Sequence, residues 1–178
     1  ADPNVFVLDP CCGTGAYPLE ILHRIEKTLI ENGENALLGY ELKQAATKRI
    51  FGFEILPAPF VISHLQIGLF LQQRGAPLDD DERASIYLTN SLTGWEPPKG
   101  PKQHLLMPEL EQEQDAAEQV KCDTPILVIL GNPPYNAFAG VAETDEGKDM
   151  VKVYKKGLAV IWGIKKYNLD ELYVRFFR

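Results

Sequence analysis

The sequence predicts an α/β fold with a mostly parallel sheet flanked by helices. Three observations carry that expectation. Short runs of β-prone apolar residues alternate with longer stretches of helical periodicity, the pattern of strands joined through crossover helices. The run Ile126-Leu127-Val128-Ile129-Leu130 is continuously apolar, which suits a parallel strand buried on both faces. The chain has 178 residues and no internal repeat, which fits one domain or a piece of a larger one, since domains run to roughly 100–200 residues.

The elements follow in order. Residues 5–8 (Val-Phe-Val-Leu) form the first expected strand, and the turn Asp9-Pro10-Cys11-Cys12-Gly13-Thr14-Gly15 leads into helical periodicity over about 17–30. A weaker helical stretch, 36–48, precedes a short aromatic strand at 50–55. Leu56-Pro57-Ala58-Pro59 opens a long helix through Gln73, because proline is tolerated in a first helical turn, and Gly75 ends it. After the acidic turn 79–82, residues 84–88 are expected as a third strand ending at Thr89-Asn90-Ser91-Leu92. Residues 94–108, rich in Pro, Gly and Lys, predict a surface loop, and about 109–120 a polar helix. The fourth strand, 126–130, ends on Gly131-Asn132-Pro133-Pro134-Tyr135. Residues 137–148 are small, acidic and aperiodic, so a mobile loop is expected there, with helix again over 168–178. The loop-rich insertions are bounded at 93–122 and 137–157. Right-handed crossovers put every strand's C-terminal end on one edge of a parallel sheet. Asp9, Glu54, Asn90 and Asn132 therefore converge on the edge where such sheets bind ligands.

Composition narrows the classes. Hydrophobic residues at 45% and charged residues at 24% exclude a disordered chain, a collagen-like repeat and a disulfide scaffold. Eighteen Lys and Arg against 25 Asp and Glu leave a net charge of −7, which argues against a strong phosphate-binding surface on this piece alone. The cysteines, Cys11, Cys12 and Cys122, have no spaced Cys/His set for zinc, so no metal is expected and a reducing cytosol fits. The apolar stretch 60–71 is interrupted by Ser63, His64 and Gln66, so no membrane span is expected. No leader pattern and no initiator Met precede the first strand, and the chain reads as an excised piece of a longer one. His64 and Cys122 are expected to pack in or near the core, and His23 to sit on an ordinary helix.

The residues that carry chemistry lie at the four turns. Gly13 and Gly15 allow a tight turn with close approach to a ligand, and the helix after them offers unpaired N–H groups. A plain strand-to-helix turn is the alternative. A dinucleotide fingerprint would need glycine at position 18, where Pro18 stands, and an acid further on for which Glu41 is a loose candidate. Asp9 directly before the turn would compete with a pyrophosphate but suits a cationic group, such as an amino acid's ammonium or a ligand carrying a sulfonium. Glu54 fits either of two readings, an acceptor for both hydroxyls of a ribose or a solvated loop acid. Asn90 could present its amide to a purine edge or simply form a turn.

Asn132-Pro133-Pro134-Tyr135 is the most specific segment. Two prolines fix the backbone and remove two donors, which holds the carbonyls there rigid. The Asn132 amide oxygen and the Pro133 carbonyl can both accept from one planar NH₂ group. That draws the nitrogen lone pair out of conjugation and makes it nucleophilic. Tyr135 offers a face on which the ring bearing that amine can stack. Phe138 fits the base pocket and the core equally well.

Together these four segments, Asp9 to Gly15, Phe51-Gly52-Phe53-Glu54-Ile55, Thr89-Asn90-Ser91-Leu92 and Asn132 to Tyr135, resemble the S-adenosylmethionine-dependent DNA adenine-N6 methyltransferases. They are most similar to methylase modules of large single-polypeptide restriction–modification enzymes. The resemblance covers nearly the whole chain, including Asp170-Glu171-Leu172-Tyr173-Val174-Arg175-Phe176-Phe177. It implies a Rossmann-like class I methyltransferase fold, of whose seven strands four are counted here, and a partial catalytic domain over 1–178 without a target-recognition region. It implies that Asp9, Pro10, Cys11, Gly13, Thr14 and Gly15 hold the methionine part of S-adenosyl-L-methionine, Glu54 its ribose, and Ile55, Asn90 and Leu92 the region of its adenine, with Asn132 alongside. It implies that Asn132, Pro133, Pro134 and Tyr135 carry catalysis, with Tyr135 and Phe138 on a target adenine flipped out of double-stranded DNA.

The implied partners are DNA, held mostly through segments outside this chain, and nuclease or helicase domains of the same natural polypeptide. The implied setting is a bacterial or archaeal cytoplasm. Cys11 stands where the family more often has Ala, and Asn90 where relatives often have Asp. On this reading the fragment alone methylates DNA poorly. The alternatives are a methyltransferase for another planar nitrogen, a protein glutamine or an RNA guanine, and a non-catalytic module with a cofactor-type fold.

Overall fold

The computed structural model describes residues 2–95 and 107–134. Strand β1 (Val7–Asp9) leads into helix α1 (Ala16–Glu31), a 3₁₀ turn (Asn35–Leu37) and α2 (Leu38–Lys48). Then come β2 (Ile50–Glu54), α3 (Pro57–Gln73), β3 (Ile86–Leu88), α4 (Pro108–Asp123) and β4 (Val128–Ile129). The four strands form one sheet in the order β3-β2-β1-β4, and every pairing is parallel. Asp9 pairs with Gly52, Glu54 with Leu88, and Leu8 with Ile129, so all four strands end on one edge, as the sequence predicts. The chain winds outward from β1 to β3 on one side and then returns to the other side of β1 with β4. The topological switch point therefore lies between the C-terminal ends of β1 and β4, where α/β sheets open a crevice.

Alternation along β2 sorts the core into two layers. Ile50 faces a cluster with Leu22 of α1, Leu42, Ala45 and Ala46 of α2, and Ile67, Phe70 and Leu71 of α3. Phe51 and Phe53 face the other way, against Leu8 and against Ala117 and Val120 of α4. In α1, Pro18, Leu22 and Leu29 recur at helical spacing and form its buried stripe. Arg74, just past α3, grips Glu26 of α1 with two hydrogen bonds of 2.7 Å and lies 3.6 Å over the Phe70 ring. Because its fork is bidentate and stacked, this pair fixes how the two helices cross.

Three expectations change. The most apolar segment, 126–130, is not a strand buried on both faces. Leu127 is 70% and Ile129 62% exposed, because β4 lies at the end of the described sheet, whereas all five residues of β2 are buried. The third strand is Ile86–Leu88 and not 84–88: the Ser85 carbonyl still accepts the Gly52 N–H of β2, but the Ser85 N–H and hydroxyl donate to the Ala46 and Thr47 carbonyls at the end of α2. Cys122 is exposed, one position beyond the stripe of Ala117, Val120 and Lys121 that α4 buries. His64 behaves as expected: its Nε2 lies 3.1 Å from the Ile86 carbonyl, and burial followed by the Arg83 charge holds its pKa below the usual imidazole value. Among the described residues, no helix is long and apolar enough to cross a membrane.

Candidate functional site

The turn after β1 is built by backbone bonds and two glycines. The Cys12 N–H donates to the Phe53 carbonyl of β2 (3.0 Å) and the Gly15 N–H to the Cys12 carbonyl (2.8 Å). Gly13 at φ 56° and Gly15 at φ 88° occupy the left-handed region that side chains disfavour. Gly15 also sits where a Cβ would come within 2.9 Å of the Ser63 Cβ, so the missing side chain lets α3 pack against the start of α1. No side chain caps α1, whose first N–H groups lie beside the turn.

Asp9 occupies the switch point. It is 1% exposed; its Oδ1 accepts the Cys11 N–H at 3.1 Å, and its Oδ2 is buried without a hydrogen-bond partner. Burial, countered by the Cys11 hydrogen bonds and reinforced by the Glu54 charge, raises its pKa to about 6. An orphaned buried carboxylate oxygen is costly to keep, and it leaves Asp9 with acceptor capacity that no described residue uses. The Cys11 thiol is pushed up to about 12 by burial and by Asp9, against a favourable contact with the Asn132 backbone N–H. Burial, followed by the Asp9 charge, raises the Cys12 thiol further.

Glu54, at the end of β2, is fully engaged with backbone. Its Oε1 accepts the Ile55 and Leu56 N–H groups at 2.8 Å each, and its Oε2 accepts the Gly13 N–H at 2.9 Å. One carboxylate thus ties the glycine turn to the start of α3 and keeps a single lone pair, on Oε2, for anything further. Ile55 beside it is exposed.

The β3 turn carries Asn90, whose Oδ1 accepts the Leu92 N–H at 3.0 Å. Ser91 is buried and its hydroxyl donates to the Pro10 carbonyl, which joins this turn to the one after β1. The last turn brings Gly131 against Asp9, and Asn132, Pro133 and Pro134 follow at the same edge. Thr14 is exposed on the turn, and Leu92 half-buried. Tyr135 and Phe138, together with the 137–157 insertion and the helix expected at 168–178, lie outside the described residues. Among the described residues, no three His, Cys, Asp or Glu side chains gather as a metal site.

Sequence reasoning missed three contributors. Gly131 was a strand end without a role. Ser91 is one letter of Thr89-Asn90-Ser91-Leu92, and Lys121 falls just past the polar helix expected at about 109–120. Lys121 is 7% exposed, and its Nζ donates to the Thr89 hydroxyl, the Asn90 carbonyl and the Thr93 carbonyl at 3.0, 2.9 and 2.8 Å. Its place four residues after Ala117 on the buried stripe is the signal that could have found it.

No known protein-family profile matches the chain, and no curated protein does. Solved structures do. The ATP-dependent Type ISP restriction-modification enzyme LlaBIII bound to DNA superposes with a TM-score of 0.72 at 22% identity, over 99% of this chain and 12% of that one. A nuclease-deletion mutant of the Type ISP restriction-modification enzyme LlaGI, in complex with a DNA substrate mimic, gives 0.68 at 18% identity, over 98% of this chain and 14% of that one. A DrdV–DNA complex gives 0.67 at 23% identity, over 99% and 16%. At such identities the likeness is one of fold, and the chain spans between 12% and 16% of these neighbours' lengths.

Proposed function

We propose that this chain is the cofactor-binding part, with the beginning of the target-base pocket, of a restriction–modification DNA methyltransferase. The enzyme would transfer a methyl group from S-adenosylmethionine to the N6 amine of adenine. The observation that carries this reading is the orphaned Oδ2 of Asp9, buried where β1 and β4 part.

The donor set fits the methionine end of that cofactor. A carboxylate oxygen without a partner receives an ammonium, and the uncapped N-terminus of α1 offers N–H groups to a carboxylate. Glu54, through the one lone pair left on its Oε2, stands for the ribose, and Ile55 and Asn90 for the adenine, with Leu92 beside them. Bound there, S-adenosylmethionine supplies an electrophilic methyl group on a sulfonium. The Asn132 amide oxygen and the Pro133 carbonyl would accept hydrogen bonds from the two N–H groups of the target amine and so free its lone pair, while Tyr135 and Phe138 are assigned to stack on the base. Holding the two reactants in line is the main catalytic contribution, since no protein nucleophile is required.

DNA as partner is supported by the fold neighbours, all three of which were solved with DNA or a DNA mimic. With a net charge of −7, this chain needs phosphate contacts from elsewhere in a larger polypeptide, which would also carry nuclease and helicase parts.

The test is calorimetric titration of the folded chain with S-adenosylmethionine, S-adenosylhomocysteine and, as control, NADH, alongside Asp9→Ala. Binding of the first two, lost in Asp9→Ala and absent for NADH, is expected. A folded chain that binds neither overturns the reading, and binding that Asp9→Ala leaves unchanged removes Asp9 from it.

A further inference from the structure

Lys121 stands on the face of the sheet opposite α1 and α3, yet it reaches the ligand edge. It comes from the last turn of α4 and is almost fully buried. Its Nζ donates to three oxygens of one short segment: the Thr89 hydroxyl, the Asn90 carbonyl and the Thr93 carbonyl. The ammonium also lies 5.1 Å from the centre of the Phe53 ring. A buried lysine is expensive unless its donors are used, and here they clamp both ends of the turn after β3.

That turn has a defined chemical face. The Leu92 N–H takes one of the two lone pairs of the Asn90 Oδ1, and it orients the amide so that its NH₂ group is turned away from that N–H. An NH₂ donor complements the N1 of adenine, which is an acceptor, and opposes the N1–H of hypoxanthine, which is a donor. The same turn is tied to the glycine loop through Ser91 and Pro10, and Trp95 at its far end donates to the Ser91 carbonyl at 2.7 Å. Helix α4 restrains it at two places: Lys121 through its ammonium, and Cys122, whose Sγ lies 4.0 Å from the Gly94 carbonyl and 3.9 Å from the Trp95 carbonyl.

We propose that Lys121 is a positioning residue that sets base selectivity: by clamping Thr89, Asn90 and Thr93 it holds the Asn90 amide as a donor toward an adenine ring and against a 6-oxopurine. This rests on the reading of the site as one for an adenosine-bearing cofactor, and it adds the residue and the mechanism by which that cofactor's base is chosen. Replacing the ammonium with an apolar chain of similar length removes the clamp without touching the ligand. A residue that merely stabilises the fold would lower the melting temperature and could weaken all ligands alike, but it would leave the ratio between two ligands differing only at the purine edge unchanged.

The experiment measures Kd by calorimetry for S-adenosylhomocysteine and its hypoxanthine counterpart, S-inosylhomocysteine. It uses the 178-residue chain and the variants Lys121→Met, Lys121→Arg, Asn90→Ala and Lys121→Met with Asn90→Ala. The unsubstituted chain is expected to prefer the adenine ligand by about tenfold or more, as a site that reads a ligand group by a hydrogen bond does. Lys121→Met is expected to bring that preference to within about threefold, Lys121→Arg to restore part of it, and the double variant to match Asn90→Ala alone, because both changes act through one contact.

A Lys121→Met chain that keeps the full preference overturns the inference, as does an Asn90→Ala chain that keeps it, and in both cases cofactor binding itself still stands. If the unsubstituted chain binds neither ligand, the underlying functional reading fails instead, and this inference with it. Should Lys121→Met not fold, Thr89→Val, which deletes one of the three acceptors at constant shape, decides: a reduced preference supports the clamp and an unchanged one refutes it.

Discussion

Gly131 abuts Asp9 so closely that a Cβ at position 131 would lie 2.6 Å from the Asp9 Oδ1, with the Cys11 Sγ and Pro10 Cδ each at 3.3 Å. The end of β4 is thus shaped to the carboxylate at the end of β1. Gly131→Ala is expected to push Asp9 and the following turn apart. Overpacking of this kind costs about 1–3 kcal/mol, visible as a lower melting temperature, and it should weaken S-adenosylmethionine more than the stability loss alone would. Alanine tolerated at position 131 with unchanged stability and binding would show that the two turns adjust independently.

Asp9 makes binding and stability compete. Folded Asp9 holds its proton more tightly than unfolded Asp9, with a pKa of about 6 against 3.8, chiefly because burial disfavours the charge. Its contribution to stability is therefore greatest below 3.8, declines as pH rises through 6, and is constant above that. The whole decline is about 3 kcal/mol. Asp9→Asn removes the charge and is expected to raise the melting temperature at pH 7.5, with about a third of that gain in free energy left at pH 4.5. The same variant should fail to bind a cationic ligand. In the unsubstituted chain, affinity for S-adenosylmethionine should fall as pH drops below 6. Melting curves and titrations across that range check both, and equal melting temperatures at pH 7.5 would contradict the assigned cost.

Much of this architecture was legible in the sequence, for identifiable reasons. Turn chemistry and periodicity place the strand–loop–helix unit around Gly13 and Gly15, and the position of Asp9 directly before that turn suits a cation; its Oδ2 is buried without a hydrogen-bond partner. What periodicity cannot report is an element's neighbours. Residues 126–130 are the most apolar run, yet strand order puts β4 at the end of the described sheet and β2, with Gly52 at its middle, between two helical layers. Contacts across a long stretch of chain were illegible for the same reason: Lys121 reaches Thr89 over 32 positions, and Ser91 reaches Pro10 over 81. Glu54 was read as an acceptor, and so it is, but for three backbone N–H groups whose convergence depends on the folded turn.

That convergence gives a prediction for Glu54→Gln. The Oε1 of glutamine can keep the Ile55 and Leu56 N–H groups, but its NH₂ then faces the Gly13 N–H, donor against donor. Hydrogen bonds to a charged acceptor contribute about 1.5–3 kcal/mol, so a loss of about 2 kcal/mol in stability is expected. Amide hydrogen exchange should quicken at Gly13 while Ile55 stays protected. Equal protection at Gly13 in both chains would show that its N–H has another acceptor.

Gly13 and Gly15 share a left-handed backbone but not an environment, and substituting each with alanine separates the two costs. At Gly13, φ is 56° and nothing lies within 4 Å of an added Cβ, so Gly13→Ala should cost only the conformational strain, about 1 kcal/mol. At Gly15, φ is 88° and the added carbon would meet the Ser63 Cβ at 2.9 Å and the Ser63 Cα at 3.2 Å. Helix α3 would have to withdraw from the start of α1, disturbing the buried contacts around Leu22 and Ile67, so Gly15→Ala should cost about 3 kcal/mol or more. Trimming the opposing side chain with Ser63→Gly should recover part of the loss at position 15 and none at position 13. Chemical denaturation of the unsubstituted chain, of Ser63→Gly and of each glycine variant with and without Ser63→Gly measures this, and equal costs at the two glycines would mean that the closeness of α3 to the turn is not what requires glycine there.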